Sequence, residues 1–159
     1  MKVTILGARE RYERYLPELP AVLRQERTFL DKHSSRAEIL AAAPDTEILF
    51  VDAITPVDGA MIRALPRLKL IHSEGVAFDK IDLTAARERG VYVCNNKGCN
   101  AAAVAEQAVL LMLMLLRRAL QGDRAVRSGR QMEMKERCMG GGLQEPSDCR
   151  VGLVGFGDT

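Results

Sequence analysis

Apolar residues fall into short, nearly unbroken runs along the first hundred positions, and between the runs they recur every three or four residues. Val3–Gly7 (VTILG), Glu47–Asp52 (EILFVD), Leu68–Ser73 (LKLIHS) and Val91–Cys94 (VYVC) read as buried strands bounded by glycine, proline or polar residues, with Arg27–Leu30 (RTFL) a weaker fifth. Tyr12–Gln25, Ser35–Ala42, Pro56–Ala64 and Asp82–Arg89 carry the helical spacing, with Asp82 placed to cap a helix start and Gly90 to stop one. Strands that are apolar throughout, alternating with helices, are the pattern of a parallel sheet covered on both faces. Residues 1 to about 96 are therefore expected to form a five-stranded α/β layer close to the flavodoxin-like order.

The pattern changes after the turn residues NNKGC at 95–99. Asn100 stands where an N-cap would stand before AAAVAEQAVLLMLMLLRRAL, a helix apolar nearly all round and interrupted by Glu106 and Gln107. About 16 apolar-dominated positions are short of the roughly 20 that cross a bilayer. A helix wedged between two domains or two subunits is expected instead. Arg117–Arg137 is basic on helical stretches and reads as a solvated face. MGGGLQEPSD at 139–148 reads as a loop, and CRVGLVGFG then begins another buried strand.

Composition narrows the function classes. With 47% hydrophobic residues in 159, the chain can bury a real core, and 23 basic against 21 acidic residues ask for neither nucleic acid nor an anionic membrane. The N-terminal apolar stretch is too short for a signal-peptide core, so a cytoplasmic location is expected. Cys94, Cys99, Cys138 and Cys149 lack metal-ligand spacing, His33 and His72 are the only histidines, and no metal site is expected.

Three stretches carry candidate chemistry. Ile71–Asp82 (IHSEGVAFDKID) leaves a strand at its carboxyl end, where open α/β sheets bind ligands. Its turn, Ser73, Glu74, Gly75 and Val76, either presents amides to a carboxylate or is an ordinary strand-to-helix turn. Asn100 either caps its own helix or faces a cleft, and Glu106 needs a partner or water in apolar surroundings. Gly155 and Gly157 supply the first two glycines of a dinucleotide fingerprint, whose third position would be residue 160.

Taken in order, LKLIHSEGVAFDKIDLTAARERGVYVCNNKGCNAAAVAEQAVLLMLMLLRR followed by CRVGLVGFGDT resembles the D-isomer-specific 2-hydroxyacid dehydrogenases, over that family's N-terminal half. The resemblance implies a flavodoxin-like substrate domain, residues 1–99, followed by the truncated start of a Rossmann NAD-binding domain, residues 100–159. It implies that amides of Ser73, Glu74, Gly75 and Val76 hold the substrate carboxylate, that Val76 also lies near the nicotinamide, and that Asn100 faces the cleft. Ala77 stands where the family usually has a second glycine. Val104 belongs to the hinge motif, and Gly155, Gly157, Asp158 and Thr159 to the turn against the cofactor phosphates. The family's arginine, its acidic residue and its histidine come from beyond residue 159, so no catalytic residue is expected here and His72 does not stand at the histidine's position. The resemblance further implies a 2-hydroxy or 2-keto acid as substrate, NAD as cofactor, and a homo-oligomer formed through residues 100–120. As it stands, the chain is expected to be catalytically silent. The competing class is a non-enzymatic α/β module for oligomerisation or small-anion binding.

Overall fold

The computed structural model describes residues 1–14 and 26–157, and the chain folds as two compact units, Met1–Lys97 and Gly98–Thr159. In the first unit, β1 (Lys2–Leu6), β2 (Glu26–Leu30), β3 (Ile48–Val51), β4 (Leu70–Ser73) and β5 (Tyr92–Asn95) form one parallel sheet in the order β2-β1-β3-β4-β5. That is the flavodoxin-like order, and it reverses direction between β1 and β3. The five expected strands are all present, each shifted by no more than two residues at either end.

The crossovers carry α1 (Arg9–Glu13), α2 (Arg36–Ala42), α3 (Gly59–Ala64) and α4 (Leu83–Glu88). Of the helix expected over Tyr12–Gln25, residues 15–25 lie outside the described residues. Three helix starts are fixed by side chains that take up orphan amides. Ser35 and Glu38 form a reciprocal capping box, Asp58 accepts from the Met61 amide at 2.7 Å, and Asp82 accepts from the Ala85 amide at 2.9 Å. Gly90 closes α4 at a φ of +66°, a conformation that favours glycine.

The core lies between one sheet face and α2, α3 and α4. Leu6, Leu49, Val51 and Ile71 meet Ile39, Met61, Ile62, Ala85 and Ala86, all buried. Each large aliphatic side chain removed from water there contributes about 1.5–3 kcal/mol. Register explains the alternation along β3 and β4: Leu49 pairs with Ile71 on the helix-covered face, and Phe50 pairs with His72 on the other.

At the amino-terminal edge of the sheet, Glu47 ties three strands together. Its backbone carbonyl accepts from the Lys69 amide at 2.8 Å, and its amide donates to the Lys2 carbonyl at 2.9 Å. Its carboxylate, with the side chain 8% exposed, accepts from Lys69 Nζ at 2.7 Å and from the Lys2 amide at 3.0 Å.

The second unit is helical among its described residues: α5 (Ala101–Leu116), α6 (Ala119–Arg127) and α7 (Gln131–Arg137), then a π turn at Cys138–Gly142 and a 3-10 turn at Pro146–Asp148. Three expectations differ here. The apolar helix ends at Leu116 rather than running to residue 120, because Arg118 takes up a left-handed backbone at φ 52° and breaks it from α6. No residue of α5 is buried, and Leu115 is 79% exposed. Residues 151–157 form no strand, and Val151, Leu153, Val154 and Phe156 are exposed. A parallel strand must share its hydrogen bonds with a neighbour, and the described residues of this unit contain none. No helix among the described residues is long and apolar enough to cross a membrane, and no group of three or more His, Cys, Asp or Glu there could hold a metal ion.

The Glu47 carboxyl gives the first prediction. The Lys69 hydrogen bond, then the Lys2 amide, hold it at about 2, down from the ordinary 4.5. A folded-state value below the unfolded one adds stability that is full above about 4.5 and is lost as pH falls from there toward 2. Urea midpoints for the protein and Glu47→Gln should therefore differ most at neutral pH and converge through that acidic window. A constant difference across the window contradicts the assignment.

Candidate functional site

The candidate site is the turn that follows β4, and its amides and carbonyls are sorted to opposite duties. Ser73 is fully buried at the end of β4, and its hydroxyl donates to the Ala77 carbonyl at 2.7 Å, folding the turn back on itself. The register of β4 with β5 pairs Ser73 with Asn95, placing two asparagines beside the loop. Asn95 Nδ2 donates to the Val76 carbonyl at 2.6 Å, Asn96 Nδ2 to the Glu74 carbonyl at 3.0 Å, and the Asn96 amide to the Gly75 carbonyl at 3.0 Å. Four consecutive carbonyls, 74 to 77, are thus engaged by donors within the domain.

The amides are less committed. Glu74 N–H donates to the Val51 carbonyl at 2.8 Å, extending the β3–β4 ladder by one residue. The amides of Gly75 and Val76 make no hydrogen bond among the described residues. Adjacent unpaired backbone donors at the carboxyl end of a parallel strand are the kind of groups that can take an anion. Of the amides expected from Ser73 to Val76 to serve a ligand, that of Glu74 is bonded to the sheet, while the Ser73 hydroxyl holds the loop's shape.

Gly75 is required by close approach. A Cβ there would lie 2.6 Å from the Ala53 Cβ in the loop after β3. Ala77, in contrast, needs no glycine, since Arg118 is the sole non-glycine with positive φ among the described residues.

His72 lies one residue before the turn and so on the opposite sheet face from Ser73. Its ring sits 4.8 Å from that of Phe50, its Nδ1 lies 3.0 Å from Cys94 Sγ, and burial lowers its pKa. Asn100, Val104, Gly155 and Gly157 belong to the second unit. Asn100 precedes α5, but its side chain makes no capping bond; a cap needs extended backbone, and Asn100 has ψ 9°. Val104 and Glu106 are exposed on α5, so Glu106 needs no buried partner. Gly155 has φ +89°, and a Cβ at Gly155 or Gly157 would meet nothing within 4 Å. Asp158 and Thr159 lie outside the described residues. A dinucleotide fingerprint works as a strand, turn and helix packed together. Residues 151–157 form none of these, and do not by themselves fit NAD.

A family model described as D-isomer specific 2-hydroxyacid dehydrogenase, catalytic domain, matches residues 11–146. The chain belongs to that family. The D-3-phosphoglycerate dehydrogenase of Archaeoglobus fulgidus is 39% identical over 124 residues, 77% of this chain and 23% of that protein. The solved 2-hydroxyacid dehydrogenase of Ketogulonicigenium vulgare Y25 superposes with a TM-score of 0.68 at 27% identity, over 83% of this chain and 41% of that one. The NAD-dependent formate dehydrogenase of Staphylococcus aureus, solved in complex with NAD, gives 0.63 at 26% identity over 81% and 41%. The chain thus spans less than half the length of these dehydrogenases.

The contact between Gly75 and Ala53 gives the second prediction. Gly75→Ala should lower stability to urea by about 1–3 kcal/mol through overpacking, and Ala53→Gly in the same chain should recover most of it. A Gly75→Ala chain as stable as the parent, or a double variant no better than the single, contradicts the close approach.

Proposed function

We propose that residues 1–99 are the substrate domain of an NAD-dependent dehydrogenase that interconverts a 2-hydroxy acid and the matching 2-keto acid, and that residues 100–159 begin its cofactor domain. The observation that carries this reading is the pair of unpartnered amides at Gly75 and Val76, in a turn whose four carbonyls are engaged elsewhere. A carboxylate placed there accepts two hydrogen bonds from the backbone, and bonds to a charged acceptor are the stronger kind.

The acid–base work of such a reaction needs a group that gives or takes the proton at the C2 oxygen. No residue in the described part of the loop does this: Ser73 donates to the Ala77 carbonyl, and His72 faces the other side of the sheet. This chain's contribution is to bind and orient the acid, and residues 1–159 alone turn nothing over. NAD would supply hydride transfer in the whole protein, and the assignment of Val76, Val104, Gly155, Gly157, Asp158 and Thr159 to it rests on the family resemblance alone. The same resemblance assigns Asn100 to substrate binding. The exposed apolar length of α5 supports self-association through residues 100–120, and a cytoplasmic location belongs to the same reading.

The third prediction follows directly. Millimolar glyoxylate should move the Gly75 and Val76 amide resonances in a nitrogen–proton NMR spectrum of the chain, more than those of Glu74 or Asn96. In the same sample NADH should be neither bound stoichiometrically nor consumed. Unmoved Gly75 and Val76 signals would remove the carboxylate site, and NADH consumption would overturn the division of labour.

A further inference from the structure

Glu74 carries the only carboxyl between Ser73 and Ala77, and its place is fixed by its own backbone. Its amide donates to the Val51 carbonyl at 2.8 Å, and its carbonyl accepts from Asn96 Nδ2 at 3.0 Å. From that anchored position the side chain lines a cleft of about 590 Å³ at the carboxyl ends of β1, β2 and β3. The side chain is 11% exposed, and Oε1 is buried with no donor among the described residues. Oε2 lies 3.4 Å from Nη1 of Arg11, whose own side chain is 69% exposed, and a pair with its cation in water is screened. A carboxylate mostly out of water and only half paired takes up a proton more readily. Burial accordingly raises the Glu74 pKa, against a smaller pull from Arg11.

The chain itself sets how near this charge lies to the unpaired amides. The Gly75 nitrogen is bonded to the Glu74 carbonyl carbon, so standard bond lengths keep the Glu74 carboxyl carbon within about 6 Å of it in every rotamer. An anion accepting from the Gly75 N–H lies about 3 Å further on. The two charges are thus no more than about 9 Å apart, comparable to the Debye length of about 8–10 Å at moderate ionic strength, and a buried charge is screened less.

The other charged groups around Glu74 come from four elements. Arg9 and Arg11 belong to α1, Asp31 and Lys32 to the loop after β2, and Asp52 to the loop after β3. Arg9 is engaged by Glu13 at 3.0 Å and by the Phe29 ring at 4.6 Å, and Asp31 Oδ1 accepts from the His33 amide at 2.8 Å. Burial opposes ionisation of Asp52, but the Thr55 hydroxyl and amide and the Ile54 amide together hold its carboxyl below the ordinary range. On β4, His72 stands two residues back, with its ring against Phe50 and its Nδ1 at Cys94 Sγ.

We infer that Glu74 couples acid binding to proton uptake: protonation of its carboxyl removes the negative charge beside the Gly75 and Val76 amides, and a carboxylate bound there favours that protonation in return. This rests on those amides holding the carboxylate of the acid. The coupling acts through charge, without contact between Glu74 and the acid. Below the Glu74 pKa, which lies above the ordinary 4.5, the anion meets a neutral side chain and the positive charge of Arg11. Above it the anion meets a negative neighbour, and affinity falls.

Two readouts on the full chain test this. Glyoxylate, ionised from mildly acid to neutral pH, should bind at the Gly75 and Val76 amides about threefold to tenfold tighter on the acid side of the Glu74 midpoint, by NMR titration. The carbon-13 signal of the Glu74 carboxyl should report that midpoint, and saturating glyoxylate should raise it by the same threefold to tenfold change in proton concentration. Glu74→Gln should bind with one affinity throughout, Arg11→Met should move the dependence to higher pH, and His72→Phe should keep it. Equal affinity at both ends of the range, a Glu74 midpoint that glyoxylate leaves in place, or a dependence that persists in Glu74→Gln overturns the coupling while the carboxylate site stands. If glyoxylate moves neither the Gly75 nor the Val76 signal at any pH, the carboxylate site falls and the coupling with it.

Discussion

The turn after β4 directs its carbonyl oxygens inward because the end of β5 supplies donors for them. Parallel register fixes this: Ser73 pairs with Asn95, so Asn95 and Asn96 emerge beside the loop and engage the carbonyls of Glu74, Gly75 and Val76. Ser73 engages the fourth, that of Ala77, from within the turn. Once four consecutive carbonyls are held, the intervening peptide planes have little freedom. The Gly75 and Val76 amides are left unpaired by geometry, so the anion proposed to bind them would meet donors already oriented.

The two edges of the sheet divide the remaining tasks. At the amino-terminal edge, Glu47 gathers the starts of β1 and β4 with its backbone and accepts hydrogen bonds from Lys69 and Lys2 through its carboxylate. That cluster is fully satisfied and serves the fold. At the carboxyl edge, Glu74 keeps an oxygen without a donor, and two neighbouring amides lack acceptors, among the described residues. Similar acids carry opposite shifts for this reason: hydrogen bonds and a nearby ammonium pull Glu47 down, and burial pushes Glu74 up. Unsatisfied polar groups are concentrated where ligands enter an open α/β sheet, and satisfied ones hold the sheet together at its other end.

Much of the first unit was legible in the sequence because its signals are local. VTILG and EILFVD are apolar on both strand faces, Ser35 with Glu38 spells a capping box, and Asp82 and Gly90 bracket α4. The candidate loop was legible from its small residues at a strand end. The duties within it were not, because the bond from Glu74 N–H to Val51 and those from Asn95 and Asn96 join residues about 20 positions apart. The pair Asn95–Asn96 reads locally as turn chemistry, and only the β4–β5 register shows which carbonyls it meets. In the second unit the sequence pattern describes a buried helix and a buried strand, whereas α5 and residues 151–157 are exposed. Apolar patterning reports what a segment buries when its partners are present, and no neighbouring strand lies among the described residues of this unit. The αL conformation of Arg118 had no glycine or asparagine to signal it.

Residue-resolved amide hydrogen exchange tests the central claim most directly. In the ligand-free chain the Glu74 and Asn96 amides, bonded to the Val51 and Gly75 carbonyls, should exchange slowly, and those of Gly75 and Val76 quickly. Adding a saturating 2-keto acid should slow Gly75 and Val76 and leave Glu74 and Asn96 unchanged. Gly75 and Val76 amides already protected without ligand, or as fast with it as without, would contradict the account.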